Sequence, residues 1–132
     1  MMKARALGYV LPKQFGETDV FNLRVDGHTV LAEVRALVGK GISYSLAFPH
    51  HHALFAVDEG DLSRYWVKGQ FDCDHFLYEI DDGGLLWQER QAPGILAVSS
   101  ALPDIREWFV LTSGVCVTVL STTEPVVRAR EA

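Results

Sequence analysis

The strongest constraint on the fold is an alternation of apolar and polar residues with a period of two, which recurs along the chain. In "VFNLRV", Phe21, Leu23 and Val25 alternate with Asn22 and Arg24, and "ISYSLAF" at 42–48 alternates as cleanly. In "VCVTVLS", Val115, Val117 and Val119 fall on one face, with Cys116, Thr118 and Leu120 on the other. Successive side chains of a strand point to opposite faces, so this pattern demands sheet. The last of these runs is apolar on both faces, which suits a central strand.

Punctuation between the runs predicts antiparallel pairing. Asp26-Gly27 and Ser113-Gly114 are turn signals, and the apolar runs on either side of Asp81-Asp82-Gly83-Gly84 form a hairpin pattern. "GILAVSS" reads as a short buried strand. Two segments read as helix. In "HTVLAEVRALVGKG", Val30, Leu31, Val34, Leu37 and Val38 make one helical stripe, with Thr29 as N-cap and Gly39 as stop. The competing expectation there is a strand paired across Asp26-Gly27. "LSRYWVK" is a second short helix capped by Asp61, with a strand as its alternative. The expected fold is therefore α+β, mainly antiparallel sheet built from hairpins, with one or two short helices. At 132 residues it is read as a single domain, 1–132, with 125–132 a loosely ordered tail after Pro125. Trp66, Trp87 and Trp108 are evenly spaced, but their contexts share nothing else, so no repeat is read from them.

Charge and composition narrow the function classes. The chain carries 12 basic and 17 acidic residues, a net of -5, which argues against a nucleic-acid partner. The densest basic point, Arg128 and Arg130, falls at the expected frayed end. No stretch approaches the roughly 20 apolar residues of a membrane span. The N-terminus lacks the apolar core and cleavage site of a secretory signal, and two cysteines do not make a disulfide scaffold, so a cytoplasmic setting is expected.

Chemistry-bearing residues cluster in two places. His50, His51 and His52 stand consecutively after Pro49, and Cys73 and His75 follow in "FDCDHF". If those stretches were neighbouring strands, alternate residues would bring His50 and His52 toward Cys73 and His75, a donor set fit for zinc. No spacing matches a known zinc signature, and the competing expectation is no cofactor, with the histidines hydrogen-bonded or solvated. Asp72 and Asp74 disfavour the Cys73 thiolate, and Cys116 lies in an apolar run. Asp58, Glu59 and Asp61 cluster in one loop and Glu79, Asp81 and Asp82 near another, where solvation is the simplest role. "GKG" at 39–41 follows a candidate helix instead of opening one, which is wrong for phosphate.

No catalytic constellation emerges from these residues. The leading expectation is a small acidic, non-catalytic binding protein that recognises a basic protein partner through Asp58, Glu59, Asp61, Tyr65, Trp66 and Trp87. By composition alone it resembles bacterial immunity and inhibitor proteins. The alternative is a small metal-dependent enzyme or metal sensor using His50, His52, Cys73 and His75. An edge strand makes a homodimer compatible with both.

Overall fold

The structure is a computed structural model that describes residues 3–9, 18–36, 42–58, 71, 75–92, 94–112 and 115–131. Its strands are β1 (Lys3–Ala6), β2 (Thr18–Asp26), β3 (Thr29–Ala36), β4 (Ile42–Phe48), β5 (His51–Asp58), β6 (Leu77–Asp82), β7 (Arg106–Val110), β8 (Val115–Ser121) and β9 (Val126–Glu131). Among the described residues the other elements are one short helix, α1 (Leu85–Gln91), and a 3-10 turn at Ser99–Ala101. The first sheet has the order β1-β6-β7-β8-β5 and the second β2-β3-β4-β9, and every pairing in both is antiparallel. The architecture is mostly β, not a balanced α+β. No helix among the described residues is long and apolar enough to cross a membrane.

The two sheets share a core. Val30, Ala32, Val34, Leu46 and Phe48 of the second sheet cluster with Leu77, Trp108, Val110, Val117 and Val119 of the first. The alternation of β8 is used on both faces. Val117 and Val119 point into this core, while Cys116 and Leu120 pack on the opposite side of the same sheet. There α1 and the segment after it supply Leu86, Leu96 and Ile105. β8 accordingly sits between β7 and β5.

The chain passes between the sheets three times, from β1 to β2, from β4 to β5 and from β8 to β9, and Ser121 ties the last two passages. Its hydroxyl donates to the Pro49 carbonyl at 2.8 Å, at the corner from β4 to β5, and accepts from the Thr123 amide at 3.1 Å, after β8. At the β4–β5 corner His50 takes a positive φ of 54°, which turns the strand sharply.

Several local expectations are corrected. The helix expected over 29–38 is strand β3 as far as Ala36, because Val30, Ala32 and Val34 face the core with a period of two. The helical stripe arose from Leu31, which faces the other way. The hairpin expected about Asp81–Gly84 is instead the end of β6 followed by α1. Gly83, with φ of 80°, redirects the chain, and the Glu107 carboxylate accepts the Leu86 amide at 2.8 Å. "GILAVSS" is turn and 3-10 backbone, with Ile95 and Val98 each 82% exposed. The tail after Pro125 pairs with β4 as β9. The helix expected at "LSRYWVK" lies outside the described residues.

Candidate functional site: an arginine-rimmed trough on the second sheet

The inward face of the second sheet is consumed by the core, and among the described residues its other face is exposed at Arg24, Val126, Arg128 and Arg130. Pairing sets the outward residues in rows. Arg24, Leu31, Ala47 and Val126 form one row across β2, β3, β4 and β9, and Asn22, Glu33, Ser45 and Arg128 form the next. A register shift between Val20 and Asn22 brings Asn22 into line. β4 contributes only small residues to this face, Ser45 and Ala47, while its neighbours contribute long ones. The sheet is therefore hollowed along β4, leaving a trough of about 360 Å³.

The trough is basic in an acidic protein. Arg24 stands on one wall, and Arg128 and Arg130 on the other, and among the described lining residues Glu33 is the one carboxylate. Glu33 faces Arg130 at 3.6 Å, too long for a good hydrogen bond. Among the described residues neither Arg24 nor Arg128 has a carboxylate partner. Beside the trough, Arg35 is occupied differently, paired with Asp19 at 3.5 Å and stacked 4.5 Å over Phe21. On the floor the Ser45 hydroxyl oxygen is buried with no hydrogen-bond partner. Apolar surface lies between the cations, from Leu31, Ala47 and Val126.

The residues read from sequence fall elsewhere. His50 is at the corner and His52 near the start of β5, both exposed. The strand alternation expected of them is absent, because His50 is in a turn and the pairing slips between His51 and Ala53. His51 lies between them, and its Nδ1 meets the His28 carbonyl at 2.8 Å, so that nitrogen carries the proton. His75 stands before β6, at the other end of the first sheet. Its carbonyl accepts the Tyr78 hydroxyl at 3.2 Å. His51 pairs with Ser121, and Ser121 with Arg106, whereas Leu77 pairs with Val110. At ~3.3 Å per residue this register separates His50 and His52 from His75 by roughly 20 Å. Cys73 lies outside the described residues. Among the described residues no group of three or more His, Cys, Asp or Glu side chains is placed to hold a metal ion.

The acidic-aromatic set is divided in the same way. Asp58 ends β5 at one end of the first sheet, opposite Val115, while Trp87, 44% exposed, lies on α1 near Asp82 and Glu107 at the other end. Glu59, Asp61, Tyr65 and Trp66 lie outside the described residues. Glu79 and Asp81 do not act as a pair. Asp81 is exposed, whereas Glu79 is buried and takes a two-point contact from Arg106 at 2.7 and 2.9 Å, together with Arg5. Hydrogen bonding from Arg106 holds the Glu79 carboxyl below its ordinary value, against the opposing effect of burial, with help from the charge of Arg5. The same contact raises Arg106 further above its usual range. A carboxylate fixed in its charged form by two guanidiniums is a structural clamp, not a proton shuttle at neutral pH. Cys116 is buried with its thiol directed at the Thr112 carbonyl at 3.5 Å.

The trough escaped the sequence because its rim is drawn from four strands. The visible signal was the pair Arg128 and Arg130, with a two-residue spacing that places both on one face of a strand. Compared with protein families, with curated proteins and with solved structures, the chain matches none.

Proposed function

We propose that the protein is a non-catalytic binding module that recognises a protein partner through the open face of its second sheet. The observation that carries this is the trough along β4, a concave surface with convergent cations, an apolar floor and an unpartnered hydroxyl. Concavity, exposed apolar area and a few placed polar groups are what a recognition site requires. The binding role expected from sequence is kept, and its location moves away from the residues between Asp58 and Trp87.

The test is site-specific photo-crosslinking in the producing cells. A photoreactive amino acid replaces Ala47 on the trough floor, or Gln91 at the exposed end of α1 as control. A discrete crosslinked protein, a second copy of the chain included, is expected from position 47 and not from 91. Equal crosslinking from both positions, or none from 47, would overturn the proposal.

A further inference from the structure

We infer that the occupant of the trough is an extended acidic segment of a partner protein, with carboxylates on alternate residues. This rests on the trough being the binding face. Three observations select that chemistry.

The first is spacing. Arg128 and Arg130 are alternate residues of β9 on one face, so their backbone positions are about 7 Å apart. An extended peptide repeats its own side chains on one face at the same interval. A segment lying along β4 therefore offers carboxylates i and i+2 to the two arginines in register. Arg24 on the opposite wall is placed for a third acidic group or a chain terminus. Guanidinium groups suit this role because they grip carboxylates through paired N–H donors.

The second is what lies between the cations. Leu31, Ala47 and Val126 give apolar contact where the intervening residues of a strand would rest. Val126 is 51% exposed without that cover. The Ser45 hydroxyl, buried and unpartnered as it stands, gains a partner by turning about χ1 toward a backbone group of a chain laid along the floor. A free phosphate uses neither feature. A polynucleotide would bring a phosphate lattice against Glu33 and against a chain of net charge -5.

The third is Glu33 itself. It stands 3.6 Å from Arg130, with side-chain exposures of 25% and 65%, and acts as an internal stand-in for a ligand carboxylate. An incoming acid competes with it for Arg130. Neutralising Glu33 should then strengthen binding, the opposite sign from losing a structural contact.

The experiment uses the full chain and a fluorescent peptide of about ten residues alternating glutamate with valine or threonine, a length that covers β4 at ~3.3 Å per residue. Binding is read by anisotropy at low and high salt. Three comparison probes are used: a peptide of the same composition with its glutamates in one block, inorganic phosphate, and a single-stranded oligonucleotide. The alternating peptide should bind best, and added salt should weaken it. Arg128→Glu should weaken it about tenfold, the size of one lost charge-assisted contact. Glu33→Gln should tighten it. A lysine-alternating peptide should bind the Arg128→Glu, Arg130→Glu double variant better than the native chain. Preference for phosphate, the oligonucleotide or the blocked peptide would overturn the inference, as would weakening by Glu33→Gln. Failure of every probe while position 47 still crosslinks a protein would overturn the acidic-segment inference and leave the docking face standing.

Discussion

At the scale of single residues the most consequential group is Glu79. It is 7% exposed, and its charge is compensated by Arg106 and Arg5 at the border of the shared core. Arg106 also lies 4.4 Å over the Trp108 ring, so one guanidinium joins the ion cluster to the largest buried side chain among the described residues. Removing the carboxylate charge leaves two arginines facing each other. Because Arg5 and Arg106 keep side-chain exposures of 54% and 34%, solvent screens part of that cost. Glu79→Gln should destabilise the fold by about 2 kcal/mol at neutral pH, measured by urea unfolding. The folded pKa of Glu79 is lowered, so its contribution is complete above the ordinary glutamate value of about 4.3 and disappears as pH falls through the lowered folded value. The stability gap between native and Glu79→Gln chains should therefore be constant near neutrality and narrow in acid. A gap that widened in acid would assign the effect to something other than this charge. Ser121 offers a second check. Ser121→Ala removes the hydroxyl that ties the β4–β5 and β8–β9 passages between sheets, and should cost about 1 to 2 kcal/mol in the same assay.

Among the elements α1 depends most on a distant residue. It has seven residues and Gly84 at its N-cap, with no side-chain cap of its own. A helix that short is unstable alone. The carboxylate of Glu107 on β7 holds the Leu86 amide, and Leu86 buries itself against Leu120 and Ile105. Glu107→Ala should therefore release α1 before the sheet. Hydrogen exchange should show protection lost at 85–91 while β7 and β8 keep theirs, and uniform loss would contradict a local clamp. Gly84→Ala attacks the same joint from the other side. An added Cβ would lie 2.7 Å from a Glu107 carboxylate oxygen and 2.7 Å from Ile80, so a loss of about 2 kcal/mol is expected by thermal unfolding. This dependence explains why the segment misled a sequence reading. "DDGG" between apolar runs satisfies the rules for a hairpin, and the cap that decides for helix lies 21 residues beyond Leu86. β3 misled for a related reason. Leu31 completes a helical stripe in sequence, but in the sheet it faces the trough. Where one strand meets its own rules on both faces, as β8 does, the local pattern was sufficient.

For the whole molecule the decisive feature is how the second sheet is closed. Among the described residues β9 is paired on one side only, yet it covers β4, packs Val127 against the shared core and carries two of the three arginines of the trough. Read as sequence, the segment after Pro125 is only seven residues long and carries Arg128, Arg130 and Glu131, which reads as a loose tail. Its partners sit some 80 residues earlier, at 42–47, where no local pattern points to it. The trough was illegible for the same reason, since a concave face made from β2, β3, β4 and β9 exists only once the register is set. Ending the chain after Pro125 tests stability and site together. It strips β4 of a neighbour and removes a half-buried valine, which should cost roughly 3 kcal/mol from lost apolar burial and ladder hydrogen bonds. It also leaves β4 as an edge whose outward residues are small and uncharged, and such an edge invites pairing with other chains. The shortened protein should melt at a lower temperature and show concentration-dependent association in size-exclusion chromatography. The exposed Arg128→Glu, Arg130→Glu double variant should melt close to the native chain and remain monodisperse, although it lacks the same cations. If truncation left melting temperature and elution unchanged, β9 would be no part of the folded unit. Equal damage from the double variant would mean that the arginines support the sheet and are not reserved for a ligand.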